Sequence, residues 1–398
     1  MSCIVYAWEL GGGFGHIQAF LPLARNLKEA GHGVAFISKD LLNAESALNR
    51  QGFRTLQAPI FQGKLVGLPE PPVSFSEILL RLGFLREEHL AGLVKAWLEL
   101  FRLLIPDLII ADYGPAALLA ARIAEIPAAT FGTGFCRPPP LHPLPSLRPW
   151  MELEPNRLIN SDQRVVDTAN LVLRSFAKPH IHQVSDLFCR EEDFLCTFAE
   201  LDHYPERPGA NYWGAVYSQD QGEEIDWLGK EEFRIFGYVK PTFPELDRFL
   251  RQLSLLRRHE IVLFCPGLAQ ARIDKHASPR LTITSRPVRL NRLISACDLA
   301  LCHAGHGTVC GMLQAGIPLL LLPTNLEQYM TARRVEEYGA GLVAPEPEEK
   351  PDYLALMGEI LNRGEYRAAA QGFAGQYSEY TQAVIYDRIL SRILELMG

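Results

Sequence analysis

Two doubly wound α/β domains, each on a parallel sheet, are predicted by three observations. Short apolar runs alternate with amphipathic stretches, the alternation occurs in two series, and each series holds a glycine-rich strand-to-helix turn. CIVYAW (3–8) reads as a buried strand. Ile17, Phe20, Leu21, Ala24 and Leu27 then recur at helical spacing, and Gly31 stands where a helix C-terminal cap belongs. The strands VAFIS (34–38), FRTLQ (53–57), LIIAD (108–112) and AATF (128–131) follow, with a helix over about 115–125 before the last. RPPPLHPLPSLRP (137–149) holds six prolines, so it is read as a stiff loop leaving the first sheet.

The second series comprises IVLFC (261–265), LTIT (281–284), LALC (299–302), LLLL (319–322) and GLVA (341–344). The stretch between about 204 and 235, rich in Pro, Gly and charge, marks the boundary. The expected division is 1–210, 211–375 and a terminal amphipathic helix within 376–398, able to cross back to the first domain.

Composition narrows the function classes. The chain has 398 residues, 48% of them hydrophobic, and a net charge of −7 without a long basic block, so nucleic acid is not expected as a partner. No apolar stretch reaches the ~18–20 residues that span a bilayer. The start, MSCIVYAWELGGG, lacks a basic region and a small-residue cleavage site, so a cytoplasmic protein is expected. None of the eight cysteines is spaced as CxxC, and Cys3, Cys265, Cys297 and Cys302 lie in apolar runs. They read as reduced core residues, with neither a disulfide framework nor a zinc site.

LALCHAGHGTVCGMLQAGIPLLLLP (299–323) reads as strand, glycine-rich turn, helix and strand. Gly305 and Gly307 permit close approach of a ligand to the backbone, and the following helix, from about Thr308 to Gln314, aims its N–H groups at the same spot. A diphosphate suits that geometry. His303 and the Thr308 hydroxyl are placed to donate further hydrogen bonds to it. A turn of this kind also serves simply to close tightly. His303 and His306 alone do not make a metal site, since no third ligand follows at a plausible spacing.

GGGFGHIQAF (11–20) fails the G-x-G-x-x-G dinucleotide fingerprint, which argues against a dehydrogenase. It places His16 at the opening of the first helix, and Asp112 ends the strand LIIAD. Imidazole titrates near neutral pH, and a carboxylate on its other nitrogen would fix the tautomer and stabilise imidazolium. That pair suits removal of a proton from an attacking hydroxyl. Two plainer roles compete: His16 bonding backbone at the helix start, and Asp112 capping the helix that opens near Pro115.

HAGHGTVCGMLQAGIPLLLLPTNLEQYMTARRVEEYGAG (303–341) resembles the donor-binding signature of family 1 glycosyltransferases, nucleotide-sugar enzymes of GT-B fold. The match covers the His-x-Gly-x-Gly-Thr turn, the Gly-x-Pro before the next strand, and the pair Glu327-Gln328. The resemblance implies two Rossmann-like domains facing across a cleft. His303, Gly305, Gly307 and Thr308 would lie on the diphosphate, and Glu327 and Gln328 on the donor sugar. In the first half it implies His16 as base, Asp112 as its acidic partner, and Gly15 among the donor-contacting positions.

Two positions depart from the family pattern. The Glu that often grips the ribose is Gly311 here, so either another residue holds the ribose or the sugar lacks a hydroxyl there, as in deoxythymidine diphosphate donors. The Trp-x-x-Gln base-reading element is replaced by SRPV (285–288), leaving base contact to the backbone of Val288. The implied activity is inverting transfer of a hexose from a UDP- or dTDP-sugar to a small-molecule hydroxyl. The nucleotide sugar acts as co-substrate, and neither cofactor nor metal is required. GGGFGH is also similar to the GGxGGH of lipid-acceptor N-acetylglucosaminyltransferases, so such an enzyme, or a same-fold epimerase, is one alternative. A non-catalytic nucleotide-sugar-binding subunit is another.

Overall fold

The computed structural model describes every residue except 14, 43–47, 64, 218–221 and 230. The chain divides into two units, Met1–Val216 with Gln382–Gly398, and Tyr217–Thr381. Each carries a six-stranded sheet in which every ladder is parallel.

The first sheet runs β3-β2-β1-β4-β5-β6, with β1 Cys3–Trp8, β2 Gly33–Ser38, β3 Arg54–Gln57, β4 Leu108–Asp112, β5 Ala128–Gly132 and β6 Glu192–Leu195. The order reverses between β1 and β4, the point at which open α/β sheets collect ligands at the carboxyl ends of their strands. Helix Gly15–Glu29 leaves the end of β1 and buries Ile17, Phe20, Leu21, Ala24 and Leu27, the positions of the sequence periodicity. Phe20 stacks on Tyr6 of β1 at 4.7 Å between centroids and meets Phe131 of β5 edge-on. The terminal helix, Gln382–Met397, packs within this unit. Tyr386 Oη donates to the Ala19 carbonyl at 3.0 Å, and Arg392 pairs with Glu192 at 2.7 Å.

The second sheet runs β12-β11-β10-β7-β8-β9, with β7 Phe233–Tyr238, β8 His259–Phe264, β9 Leu281–Thr284, β10 Leu299–Cys302, β11 Leu319–Leu321 and β12 Gly341–Val343. Its core joins Ile235, Leu263, Leu301 and Leu320 to Phe249 and Met357 from flanking helices.

Two strands differ from the sequence reading. β7, FRIFGY, is an interior strand beside β10, and β6, EDFL, closes the edge of the first sheet. Arg234 and Gly237 break the apolar pattern of β7, and the acidic pair opening β6 masks its two buried residues. Sheet neighbours place both strands, and local periodicity does not reveal them. The units part at 216/217 and 381/382 rather than at 210/211 and 375/376. Residues 376–381 stay with the second unit, where Tyr377 packs on Phe373 at 4.8 Å and Tyr380 on Tyr377 at 5.5 Å.

Candidate active site

Trp8 and Asp112 are register partners at the carboxyl ends of β1 and β4. The chain leaves β1, turns through Gly11–Gly13 and enters the first helix at Gly15, which brings His16 back over both strand ends. His16 Nδ1 lies 2.8 Å from Asp112 Oδ2. The carboxylate is buried, while the imidazole retains 19% exposure. A carboxylate accepts only, so Nδ1 carries the proton and Nε2 is left basic. The Trp8 ring stacks on the imidazole at 5.0 Å and 22°. Gly15 begins the helix, exposed, with no atom within 4 Å of where a Cβ would stand.

Glycines keep this place open. Gly11 adopts φ +78°, and a Cβ there would lie 3.0 Å from the Tyr113 ring and 3.2 Å from His16 Nε2. Gly132 adopts φ +134°, and its Cβ would stand 3.1 Å from Asp112 Oδ1. Tyr113 itself takes the left-handed conformation, φ 49°, costly for an aromatic residue.

The plainer role for Asp112 is filled by another residue. Helix Pro115–Ala124 has Gly114 at its N-cap with no side-chain bond there, and Glu9 accepts from Ala116 and Ala117 instead. Burial pushes the Glu9 carboxyl up to about 8, against the lowering effect of these N–H groups. Neither Glu9 nor Tyr6, whose hydroxyl lies 2.6 Å from Asp112 Oδ2, was evident in the sequence, because Tyr6 lies within an apolar strand, Glu9 directly follows it, and both face partners about a hundred residues away.

In the second unit, helix His306–Gln314 starts at Gly305, and no side chain caps it. Its first-turn N–H groups, with Gly307 and Thr308 among them, have no helical carbonyl to bond. Ala304, at φ 57°, makes the sharp exit from β10 that aims them past the strand end. Thr308 is half-buried. Gly307 is needed for packing, since a Cβ would lie 3.1 Å from Cβ of Tyr217, whose hydroxyl donates to Gln314 Oε1 at 2.6 Å. Gly311 is buried in the helix and offers nothing to a ribose.

His303 departs from expectation. It was expected to donate an imidazole N–H to phosphate, but both ring nitrogens engage backbone: Nδ1 donates to the Leu322 carbonyl at 2.7 Å, and Nε2 accepts from the Lys240 N–H at 2.8 Å. Burial pushes the imidazole pKa down, so it is neutral. The side chain therefore ties the carboxyl ends of β7, β10 and β11 together beneath the turn. The groups here still able to donate to an anion are the first-turn helix N–H groups and the Thr308 hydroxyl.

Glu327 and Gln328 open helix Leu326–Tyr338, which follows β11, the neighbour of β10. Asn325 caps the helix by accepting from Gln328 N at 3.0 Å, and Gln328 Oε1 accepts from Thr324 N and Oγ1, each at 2.9 Å. The Gln328 side chain thus presents its amide NH2 as donor. Val288 lies beyond β9, at the far edge of the sheet. Glu223 N donates to Pro287 O at 2.8 Å and Arg289 N to Glu223 O at 2.9 Å. In such a parallel bridge the N–H and C=O of Val288 itself point away from Glu223.

The chain is similar to several known proteins. Residues 249–382 match the family described as erythromycin biosynthesis protein CIII-like, C-terminal domain. The chain is 22% identical over 302 residues to the PGL/p-HBAD biosynthesis rhamnosyltransferase of Mycobacterium bovis, a match covering 71% of this chain and 66%, just under two thirds, of that protein. It is 31% identical over 84 residues to the 3-alpha-mycarosylerythronolide B desosaminyl transferase of Saccharopolyspora erythraea, covering 21% and 20% of the two chains. Among solved structures, the spinosyn rhamnosyltransferase SpnG complexed with spinosyn aglycone superposes with a TM-score of 0.69 at 18% identity, covering 98% of this chain and 100% of that one. The same enzyme complexed with thymidine diphosphate gives 0.68. No helix among the described residues is long and apolar enough to cross a membrane. Residues 249–382 carry the match to that C-terminal domain family, and the chain as a whole has the fold of the GT-B glycosyltransferases.

Proposed function

We propose that the chain transfers a hexose from a nucleoside diphosphate sugar to a hydroxyl of a small-molecule acceptor, with inversion at the anomeric carbon and without a metal. The observation that carries this reading is the 2.8 Å contact between His16 Nδ1 and Asp112 Oδ2, which leaves Nε2 basic beside Gly11. The acceptor hydroxyl gives its proton to Nε2 as its oxygen bonds to the anomeric carbon. The bond from that carbon to the diphosphate breaks in the same step. Single displacement requires attack opposite the leaving group, hence inversion. Asp112 stabilises the imidazolium that forms. On the second unit, the first turn of helix His306–Gln314 and the Thr308 hydroxyl take up the charge of the departing diphosphate. Glu327 and the Gln328 amide meet the sugar hydroxyls, and the Val288 backbone meets the base.

A deoxythymidine diphosphate donor is favoured over a uridine one. Gly311 removes the usual grip on the ribose, and SpnG is a rhamnosyltransferase that has been crystallised with thymidine diphosphate. A cytoplasmic location belongs to the same reading. Calorimetric titration with dTDP-, UDP- and GDP-hexoses, followed by transfer assays on a panel of hydroxylated aglycones, tests it. Binding of a dTDP-sugar with aglycone glycosylation is the expected result. Donor turnover without an acceptor would point to the epimerase. Donor binding with no chemistry on any acceptor would point to the non-catalytic subunit.

A further inference from the structure

Tyr6 lies beneath the imidazole–carboxylate pair, fully buried in β1. Its hydroxyl is 2.6 Å from Asp112 Oδ2 and 2.9 Å from the backbone carbonyl of His16. Asp112 Oδ2 is therefore shared by two donors, the phenol and the imidazole, while Oδ1 has no hydrogen-bond partner among the described residues. Phe20 stacks on one face of the Tyr6 ring and Phe36 meets it at 5.3 Å, which fixes the ring, and the single hydroxyl proton favours the shorter bond to the charged carboxylate over the His16 carbonyl.

We propose that Tyr6 is a positioning residue that sets the basicity of His16 by competing with it for Asp112 Oδ2; the proposal rests on the reading of His16 as the base. A hydrogen bond from the phenol draws charge away from the oxygen that steadies the imidazolium. The imidazole is then a weaker base than an unshared carboxylate would make it, and it is deprotonated over more of the working pH range. The same bond aligns the carboxylate for Nδ1.

The phenol remains a donor throughout that range, because burial and then the adjacent carboxylate push its ionisation well up. Other titratable groups face the pair. Cys136, after β5, and Cys196, after β6, stand near Tyr6, and burial holds the Cys196 thiol protonated. From the end of β2, the Lys39 ammonium bonds the Gly11 carbonyl, beside the His16 ring. None of these is the second donor to Oδ2. That place belongs to Tyr6.

The test is a histidine NMR titration of the whole protein, with the His16 resonances among the eleven histidines identified by their loss in His16→Ala. It is paired with the pH profile of kcat/KM. In Tyr6→Phe the His16 pKa should rise by about 0.5–1, since Oδ2 then faces the imidazolium alone. The acidic limb of the profile should move up with it, a loss of about three- to tenfold below the pKa, with the high-pH plateau changed by less than about twofold. A merely structural role would lower the plateau or the melting temperature and leave the limb in place. Folded Tyr6→Phe with an unmoved His16 pKa overturns the proposal. If Tyr6→Phe does not fold, fluorotyrosine in place of Tyr6, a stronger donor, should shift the His16 pKa down, and no shift is again fatal. Should the His16 pKa respond while transfer proves indifferent to His16→Ala, the coupling stands and the base assignment falls.

Discussion

Glu9 Oε2 accepts the N–H of Ala117 at 3.0 Å and that of Ala116 at 3.1 Å, so the helix after β4 is satisfied from the end of β1. That contact leaves Asp112, two residues before the helix N-cap, to His16. A carboxyl buried at a helix start faces two opposed effects: the N–H groups favour its charge and desolvation disfavours it. Desolvation wins here, since the Glu9 carboxyl is pushed up to about 8.

A pH dependence of folding follows from Glu9. Its folded pKa lies above its ordinary value of 4.5, so between that value and about 8 the native state binds more protons than the unfolded one. Stability should therefore fall as pH rises across this window and level off above it. The shift allows at most ~4–5 kcal/mol, and relaxation around the carboxylate would reduce that. Glu9→Gln keeps an acceptor for the helix and removes the titration. Urea unfolding at pH 5 and pH 8 should show the wild type losing stability between them and Glu9→Gln losing much less. Parallel losses in both proteins would show that Glu9 does not titrate in this range.

For the chemistry, His16→Ala is expected to leave donor affinity unchanged and to slow transfer by about 10²–10⁴, the usual contribution of a positioned base. Asp112→Asn should do less damage, because the imidazole remains. An acceptor already ionised at assay pH, such as a nitrophenol, needs no base and should partly rescue His16→Ala. Transfer rates measured against acceptor pKa decide the matter: an equal deficit for ionised and neutral acceptors removes His16 from that role.

On the donor side, dTDP or UDP should raise the melting temperature without added divalent metal, because the helix start supplies its own positive potential. A gain that appears only with magnesium or manganese would contradict this. Thr308→Ala should weaken nucleotide binding by ~1–3 kcal/mol in a folded protein, the loss of a charge-assisted hydrogen bond. His303→Ala should behave differently. It strips the Leu322 carbonyl and the Lys240 N–H of their partner, and the buried Leu322 carbonyl left unpaired costs about 1–3 kcal/mol of stability. Denaturation and calorimetry on both variants separate the roles, and a stable His303→Ala protein that binds nucleotide weakly would restore His303 as a phosphate ligand.

Gly11→Ala tests whether the approach to Nε2 must stay open. The new methyl would stand 3.2 Å from Nε2 and 3.0 Å from the Tyr113 ring, in a backbone conformation that already strains an alanine. Transfer should fall by at least about tenfold, the equivalent of ~1.4 kcal/mol, with nucleotide binding retained. Unchanged kinetics would place the acceptor elsewhere.

Glu327→Ala should lower affinity for the nucleotide sugar while leaving that for the free nucleotide diphosphate nearly unchanged, since only the sugar hydroxyls are lost as partners. Calorimetry with both ligands distinguishes this from a general loss at the helix start, which would weaken the two equally.

What the sequence determined by itself is what local pattern encodes. Period and turn residues specified ten of the twelve strands among the described residues, the first helix with its buried positions, and the glycine-rich turn at 303–308, all within a few residues of chain. His16 and Asp112 could be named singly from their places after strands, though two local roles competed for them. Only the tertiary structure decided between those roles. Parallel register sets Trp8 beside Asp112, which brings His16 onto that carboxylate, hands the helix cap to Glu9 and puts Tyr6 on the shared oxygen. It also placed β7 inside the second sheet, and so converted His303 from an expected phosphate donor into the link between Lys240 and Leu322. These partners lie from 19 to 108 residues apart. Hydrogen bonds that long in sequence leave no period and no spacing to read, because they exist only once parallel strands from distant segments lie side by side.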